Sequence, residues 1–423
     1  MSRRPPRELR EIRRDLEREE LRRQGSRRAS YRRRRFALSI TAAALLATAV
    51  VLSGAIAGSS GKRGSRGSRV TTGPVTSTVT QPTTPAPTTT TPAVTTPRRR
   101  RHRTVPGSFA VASLNLTFQE PSAPEIATGR TIRGTPVRTL PTLVLYPTTG
   151  AGGAGTGSSA PPATGYGPFP LIVFSQGFDL APTAYLGLLE AWARAGYVVA
   201  APTYPDTDAT APGTLNEADI VNHPTDLRFV ISSLLATAGR RTSPLHGLVD
   251  ARRIALIGHS DGGDVSLAVA ANSCCQLPHI AAAVILSGAE LSSFGGSYFT
   301  TGSPPLLVTQ GSADTVNVPA CSVQIYDAAP QPKYYLNIPN AQHEPPYLDP
   351  GPMRAGVIRA TLAFLAAYLK GRPAALNALQ AGWSLPAGET LSSGPTAPPL
   401  STTTIDGTTT VTTPVTSTVC PGA

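Results

Sequence analysis

Short, nearly continuous apolar runs recur through the middle of this chain: Leu171–Phe174, Tyr197–Ala201, Ile254–Ile257, Ala281–Leu286, Pro305–Thr309 and Tyr334–Ile338. Strands that do not alternate apolar with polar are buried on both faces, which requires a mostly parallel sheet covered by helices. Helical runs fall between them, at Tyr185–Ala195 (closed by Gly196), Asp219–Leu235, Val265–Asn272 and Pro352–Leu369. Ala110–Phe118, Arg130–Val137 and Thr142–Tyr146 read as further strands on the N-terminal side. The expected fold is therefore α/β, with functional groups gathered at the carboxyl ends of the strands.

The strand Ile254–Ile257 runs into Gly258-His259-Ser260-Asp261-Gly262, and a helix follows. Strand, tight turn and helix are what a nucleophile elbow needs. The turn reverses so sharply that the residues two before and two after the serine must be small, a role met by Gly258 and Gly262. Ser260 then projects at a helix N-terminus, where negative charge is favoured.

A serine hydroxyl needs a base to act as a nucleophile at neutral pH. Of the histidines, His343 alone follows a strand late in the chain, in the turn Asn340-Ala341-Gln342-His343, and is the expected general base. The carboxylate that orients the base is expected at Asp314, in Gln310-Gly311-Ser312-Ala313-Asp314, with Asp327 and Asp349 as alternatives. The order serine, aspartate, histidine suits this architecture. Two backbone N–H groups should hold the oxyanion: Asp261, directly after the nucleophile, and Phe178, in the turn Ser175-Gln176-Gly177-Phe178. Phe178, Tyr204, Phe294, Tyr298 and Phe299 are candidates for lining the site or for ordinary packing.

On the residues Ile172–Phe178, Gly258–Gly263, Gly311–Asp314 and Gln342-His343, the region from about 130 to 370 resembles the α/β-hydrolase superfamily. Within it the chain is similar to lid-less cutinase-like polyester hydrolases, platelet-activating-factor acetylhydrolases and chlorophyllase- or dienelactone-hydrolase-type bacterial enzymes. The resemblance implies an α/β-hydrolase fold, a serine ester hydrolase, and the roles of oxyanion turn, nucleophile, acid and base for those four motifs. Gln176 departs from the usual His or Pro, and Asp261 from the usual uncharged residue. Both bear on substrate preference more than on reaction type. Only Ser287–Pro304 separates two consecutive strands, too short for a cap domain, so an open, shallow site is expected.

The flanks differ sharply from this middle. Residues 1–103 hold 24 Lys+Arg against 6 Asp+Glu, and the remainder 14 against 19, so the basic balance belongs to the N-terminal region. The folded part gives no reason to expect nucleic acid. Residues 1–35 read as a basic cytoplasmic segment with amphipathic helical spacing at Leu9, Ile12 and Leu16. The stretch Phe36–Gly61 carries no charge and suffices to span a bilayer, with a transmembrane helix expected over residues 36–58. Arg32–Arg35 before it put the N-terminus inside and the rest outside the cell; a cleaved signal peptide is the alternative. Residues 59–107 form a Thr/Pro/Arg-rich linker, whose basic cluster Arg98–Arg101 could touch an envelope polymer. Residues 108–381 make the folded domain, and 382–423 a Thr/Pro-rich tail.

Cys274, Cys275, Cys321 and Cys420 all fall on the expected outer side, where disulfides form. The expected pattern is one bridge from Cys274 or Cys275 to Cys321 and another to Cys420, in preference to a vicinal bond. The spacing offers no metal site, and neither a metal nor a cofactor is expected. The leading reading is a membrane-tethered extracellular serine hydrolase acting on lipid, polyester or wall-linked esters through an acyl-enzyme on Ser260. An acyltransferase to an envelope acceptor and a non-catalytic envelope-binding protein are the rivals. The full serine, aspartate and histidine set argues against the last.

Overall fold

The computed structural model describes residues 107–121, 137–149, 160–210, 215–398 and 420. The basic segment, the uncharged stretch 36–58, nearly all of the linker, residues 130–136 of the expected strand Arg130–Val137 and most of the tail lie outside them. Among the described residues no helix is long and apolar enough to cross a membrane.

Among the described residues nine strands form one sheet: β1 (Ala110–Pro121), β2 (Val137–Thr148), β3 (Phe169–Ser175), β4 (Val198–Pro202), β5 (Val249–His259), β6 (Ala282–Leu286), β7 (Leu306–Gly311), β8 (Lys333–Ile338) and β9 (Thr390–Ser392). Their order across the sheet is β1-β2-β4-β3-β5-β6-β7-β8-β9. β3 to β8 run parallel, while β1, β2 and β9 make antiparallel pairs at the two margins. The helices are α1 (Leu186–Arg194), α2 (His223–Gly239), α3 (Asp261–Ala271), α4 (Pro319–Ala328), α5 (Pro352–Lys370) and α6 (Ala374–Gln380), with a single helical turn at Pro345–Leu348.

The continuous apolar runs do what their lack of alternation requires. Leu171, Val173, Leu256 and Ile285 pack on one face with Leu227 and Leu234 of α2 and with α3. Their immediate neighbours Ile172, Phe174, Ile257 and Leu286 pack on the other, against Trp192 of α1 and Val357 and Phe364 of α5. Successive strand residues point to opposite sides, so nearly every position of such a run is buried, and the polar Thr309 and Asn337 are buried with the rest. The connection from β6 to β7 holds one 3-10 turn, Ser292–Phe294, and no helical cap.

One sequence boundary moves. The domain does not stop at Ala381: β9 pairs with β8 through Tyr335–Ser392 and Asn337–Thr390. Cys420 in the tail is disulfide-bonded to Cys321 in the first turn of α4. The expected bridge from α3 to Cys321 is also corrected, because Cys274 bonds Cys275. The reason is helix length. α3 leads away from the elbow for 11 residues, about 16 Å at 1.5 Å per residue, toward the amino ends of the strands. Cys321 stays beside the carboxyl ends, where α4 begins.

Beside β1 and β2 lies a buried charged group. Arg138 donates from Nε and Nη2 to Asp226 at 2.7 Å each, and from Nη1 and Nη2 to Asp219 at 3.0 and 2.7 Å. Burial, then the hydrogen bond and charge of Asp226, push the Glu120 carboxyl up to about 8 against the opposing pull of Arg138. Glu120 therefore keeps its proton in the fold at pH values where the unfolded chain has lost it. Stability should fall as pH rises from about 4.5 to about 8, by up to roughly 1.4 kcal/mol per pH unit, and level off above. Glu120→Gln should abolish that slope, so denaturant unfolding at pH 5 and pH 8.5 should differ less in the variant than in the native chain.

Candidate active site

Ser260 closes β5 and precedes α3 with φ 54° and ψ −126°, a strained conformation that leaves its hydroxyl free of the helix. The glycines are required by backbone, not by side chains. A Cβ on Gly258 would lie 1.9 Å from Gly262 O, and one on Gly262 would lie 2.1 Å from Ser175 O. Ser260 N–H donates to Leu286 O at 3.0 Å, which ties the elbow to the end of β6. Asp261 opens α3, so its N–H has no intrahelical acceptor and lies at the positive end of the helix.

His343 lies in the turn after β8, and Asp314 in the turn after β7. His343 Nδ1 meets Asp314 Oδ2 at 2.7 Å, a long-range contact between buried side chains. Asp314 is itself held: Oδ1 accepts Val316 N–H at 2.8 Å and Oδ2 accepts Gln310 Nε2–H at 3.2 Å. Gln310 also accepts a hydrogen bond from Ser322 Oγ at 2.6 Å. Asp327 lies away from this pair, its Oδ1 accepting Ala397 N–H at 2.7 Å.

The turn after β3 lies against the elbow: a Cβ on Gly177 would lie 3.2 Å from Ser260 Cβ. Gly177 N–H is taken by the Tyr185 hydroxyl at 3.1 Å. That leaves Phe178, half-buried, as the next N–H of the turn. Gln176 turns toward the neighbouring strand, with its amide oriented to donate to Pro202 O at 2.8 Å and to accept Tyr204 N–H at 3.3 Å. Ser175 Oγ bonds the Tyr204 hydroxyl at 2.8 Å, so Tyr204 braces the turn from behind instead of lining the site. Phe294, Tyr298 and Phe299 likewise pack on the core around α3. The absence of a cap does not make the serine accessible: Ser260 is 3% exposed, because the turns around it close over the elbow.

Both carboxylate oxygens of Asp261 are buried. Its charge reaches the Tyr185 phenol, which burial and then nearby carboxylates push well above its ordinary range. Among the described residues one group could serve as metal ligands, Asp219, His223 and Asp226. Both its carboxylates are bound by the Arg138 guanidinium.

His259, beside the nucleophile, turns inward, with Nδ1 2.7 Å from Tyr185 Oη and Nε2 3.1 Å from the His343 carbonyl. Tyr185 itself went unnoticed as the first residue of a helix. No local signal marks it, since its partners lie far away in sequence.

A family model described as Chlorophyllase matches residues 159–320. The match takes in the turn after β3, the elbow and Asp314, and ends before His343. Among solved structures, a ferulic acid esterase from Streptomyces cinnamoneus is similar at 20% identity and a TM-score of 0.48, over 66% of this chain and 94% of that one. No curated protein matches the chain. The sheet order and the elbow are those of an α/β-hydrolase fold, and the chlorophyllase match agrees with it.

Proposed function

We propose that the protein is a serine ester hydrolase. Ser260 attacks the ester carbonyl, His343 takes its proton and later returns it to the leaving alcohol, and Asp314 fixes the imidazole. The Phe178 and Asp261 N–H groups hold the oxyanion. The observation that carries this is the 2.7 Å contact of His343 Nδ1 with Asp314 Oδ2, because it directs Nε2 as the free, basic nitrogen. The chlorophyllase match supports ester chemistry.

The site is proposed to work outside the cell, held to the membrane by the uncharged stretch at residues 36–58. Two disulfides in the folded part support an oxidising compartment. Lipid, polyester and wall-linked acyl esters are the proposed substrates. Full-length protein should hydrolyse p-nitrophenyl esters, and a membrane-impermeant fluorophosphonate applied to intact cells should add its phosphonyl group to the peptide carrying Ser260. Silence with esters of every chain length, together with no adduct in detergent-solubilised protein, would sink the enzyme reading. An adduct formed only after cell lysis would sink the location.

A further inference from the structure

His259 and Tyr185 take no part in the chemistry proposed above, yet both are fully buried in the middle of the site. They join three loops by hydrogen bonds. Gly177 belongs to the turn after β3, His259 to the elbow and His343 to the turn after β8. The contacts between them are Gly177 N to Tyr185 Oη at 3.1 Å, Tyr185 Oη to His259 Nδ1 at 2.7 Å, and His259 Nε2 to the backbone O of His343 at 3.1 Å.

Chemistry fixes the direction of every hydrogen in this chain. A backbone carbonyl only accepts, so His259 Nε2 must carry a proton toward His343 O. Burial first, and then the neighbouring His343, push the His259 imidazole well below its ordinary pKa, so the ring is neutral and Nδ1 is bare. The Tyr185 hydroxyl must then donate to Nδ1. Its oxygen is left to accept Gly177 N–H. One arrangement satisfies all three groups, and it runs from the oxyanion turn through the elbow to the backbone of the base.

The rings leave little slack. The His259 ring lies 4.7 Å from those of both His343 and Tyr347, and Tyr347 is anchored by Ser287 Oγ and Thr309 Oγ1 at 2.9 Å each. A Cβ on Gly177 would come within 3.3 Å of both the Tyr185 hydroxyl and His259 Nδ1.

We infer that Tyr185 and His259 are positioning residues, a hydrogen-bonded strut that sets the oxyanion turn and the His343 loop in register with Ser260. The inference of a catalytic consequence rests on the proposed hydrolase reading; the strut itself does not. Because Gly177 N–H is held by Tyr185, the turn is oriented to present Phe178 N–H toward the elbow. Losing the strut should misplace groups that act only in the transition state, so kcat should fall and KM should not.

Two measurements separate the strut from the activity. Nitrogen-15 spectra of histidine-labelled protein should show His259 as the Nε2–H tautomer, unchanged from pH 5 to pH 9. In Tyr185→Phe the His259 Nδ1 resonance should shift, because it loses its donor. An Nδ1–H tautomer, or a His259 that titrates across neutral pH, would overturn the strut whether or not the protein hydrolyses any ester. Kinetics then test its effect. Tyr185→Phe should lower kcat by up to about 10²-fold with KM little changed, the scale of a small misplacement. His259→Asn keeps an acceptor for Tyr185, while His259→Gln keeps a donor for His343 O. Adding Tyr185→Phe should therefore cost activity in the Asn background and little in the Gln background. Equal costs in both, or an unchanged kcat in Tyr185→Phe, would overturn the positioning role. A native protein inert toward esters, with the tautomer as stated, would instead count against the hydrolase reading and leave the strut standing.

Discussion

Ser260→Ala should lower kcat for a p-nitrophenyl ester by about 10⁶-fold, and Asp314→Asn by about 10⁴-fold, with unfolding midpoints close to the native protein. The serine result follows from the loss of the attacking atom. The aspartate result is more specific, because Asn keeps the size of the side chain and changes one hydrogen. Asp314 Oδ2 now accepts from His343 Nδ1, and also from Gln310 Nε2. If Asn presents its NH2 to the ring, Nδ1 must accept and the proton moves to Nε2, the atom meant to take the serine hydrogen. If Asn presents its oxygen to the ring, its NH2 faces Val316 N–H, which now donates to Asp314 Oδ1 at 2.8 Å. Either orientation loses one hydrogen bond, which is modest for stability, and the first also reverses the tautomer, which is severe for catalysis. An Asp314→Asn variant that retains a tenth of native kcat would show that another carboxylate orients the base.

Much of this arrangement could be read from the sequence, for a definite reason. Ser260, Asp314 and His343 each stand directly after an apolar run, and a parallel sheet delivers all such positions to one edge. Local pattern was therefore enough to bring together residues 29 apart in the case of the acid and base. The strut was not legible because it depends on side-chain direction across 74 residues from Tyr185 to His259. A tyrosine opening a helix looks the same whether it packs or bonds. The disulfides failed for a related reason: sequence shows that four cysteines share a compartment, but only the path of α3 shows which can meet. β9 was missed because three residues of Thr-Leu-Ser in a Thr-rich tail carry no signal of their own. They become a strand by pairing with the free edge of β8.

The glycines of the elbow make the strongest demand on the fold, and Gly262→Ala should show it. An added Cβ would sit 2.1 Å from Ser175 O, 2.4 Å from Ser175 C and 2.6 Å from Gln176 O. None of these is the end of a flexible side chain. They belong to the last residue of β3 and the first of the oxyanion turn, and β3 is paired on both sides with β4 and β5. To make room, either α3 must lift off the sheet or the turn must leave the elbow. The first exposes Val265, Leu267 and Val269, now buried; the second moves Phe178 away from Ser260. Alanine is otherwise favoured over glycine inside a helix by about 1 kcal/mol, so propensity alone would make the change stabilising. Gly262→Ala should instead cost more than about 4 kcal/mol in denaturant unfolding, in the range that marks a steric conflict in a core. Gly263→Ala is the control, since its Cβ would lie 3.2 Å or more from its neighbours, close enough to shift them by only a few tenths of an ångström. If the two variants unfold alike, the contact between the elbow and the end of β3 is not as close as drawn. The same comparison tests the site, because a turn displaced by Gly262→Ala should also slow phosphonylation of Ser260 in whatever protein still folds.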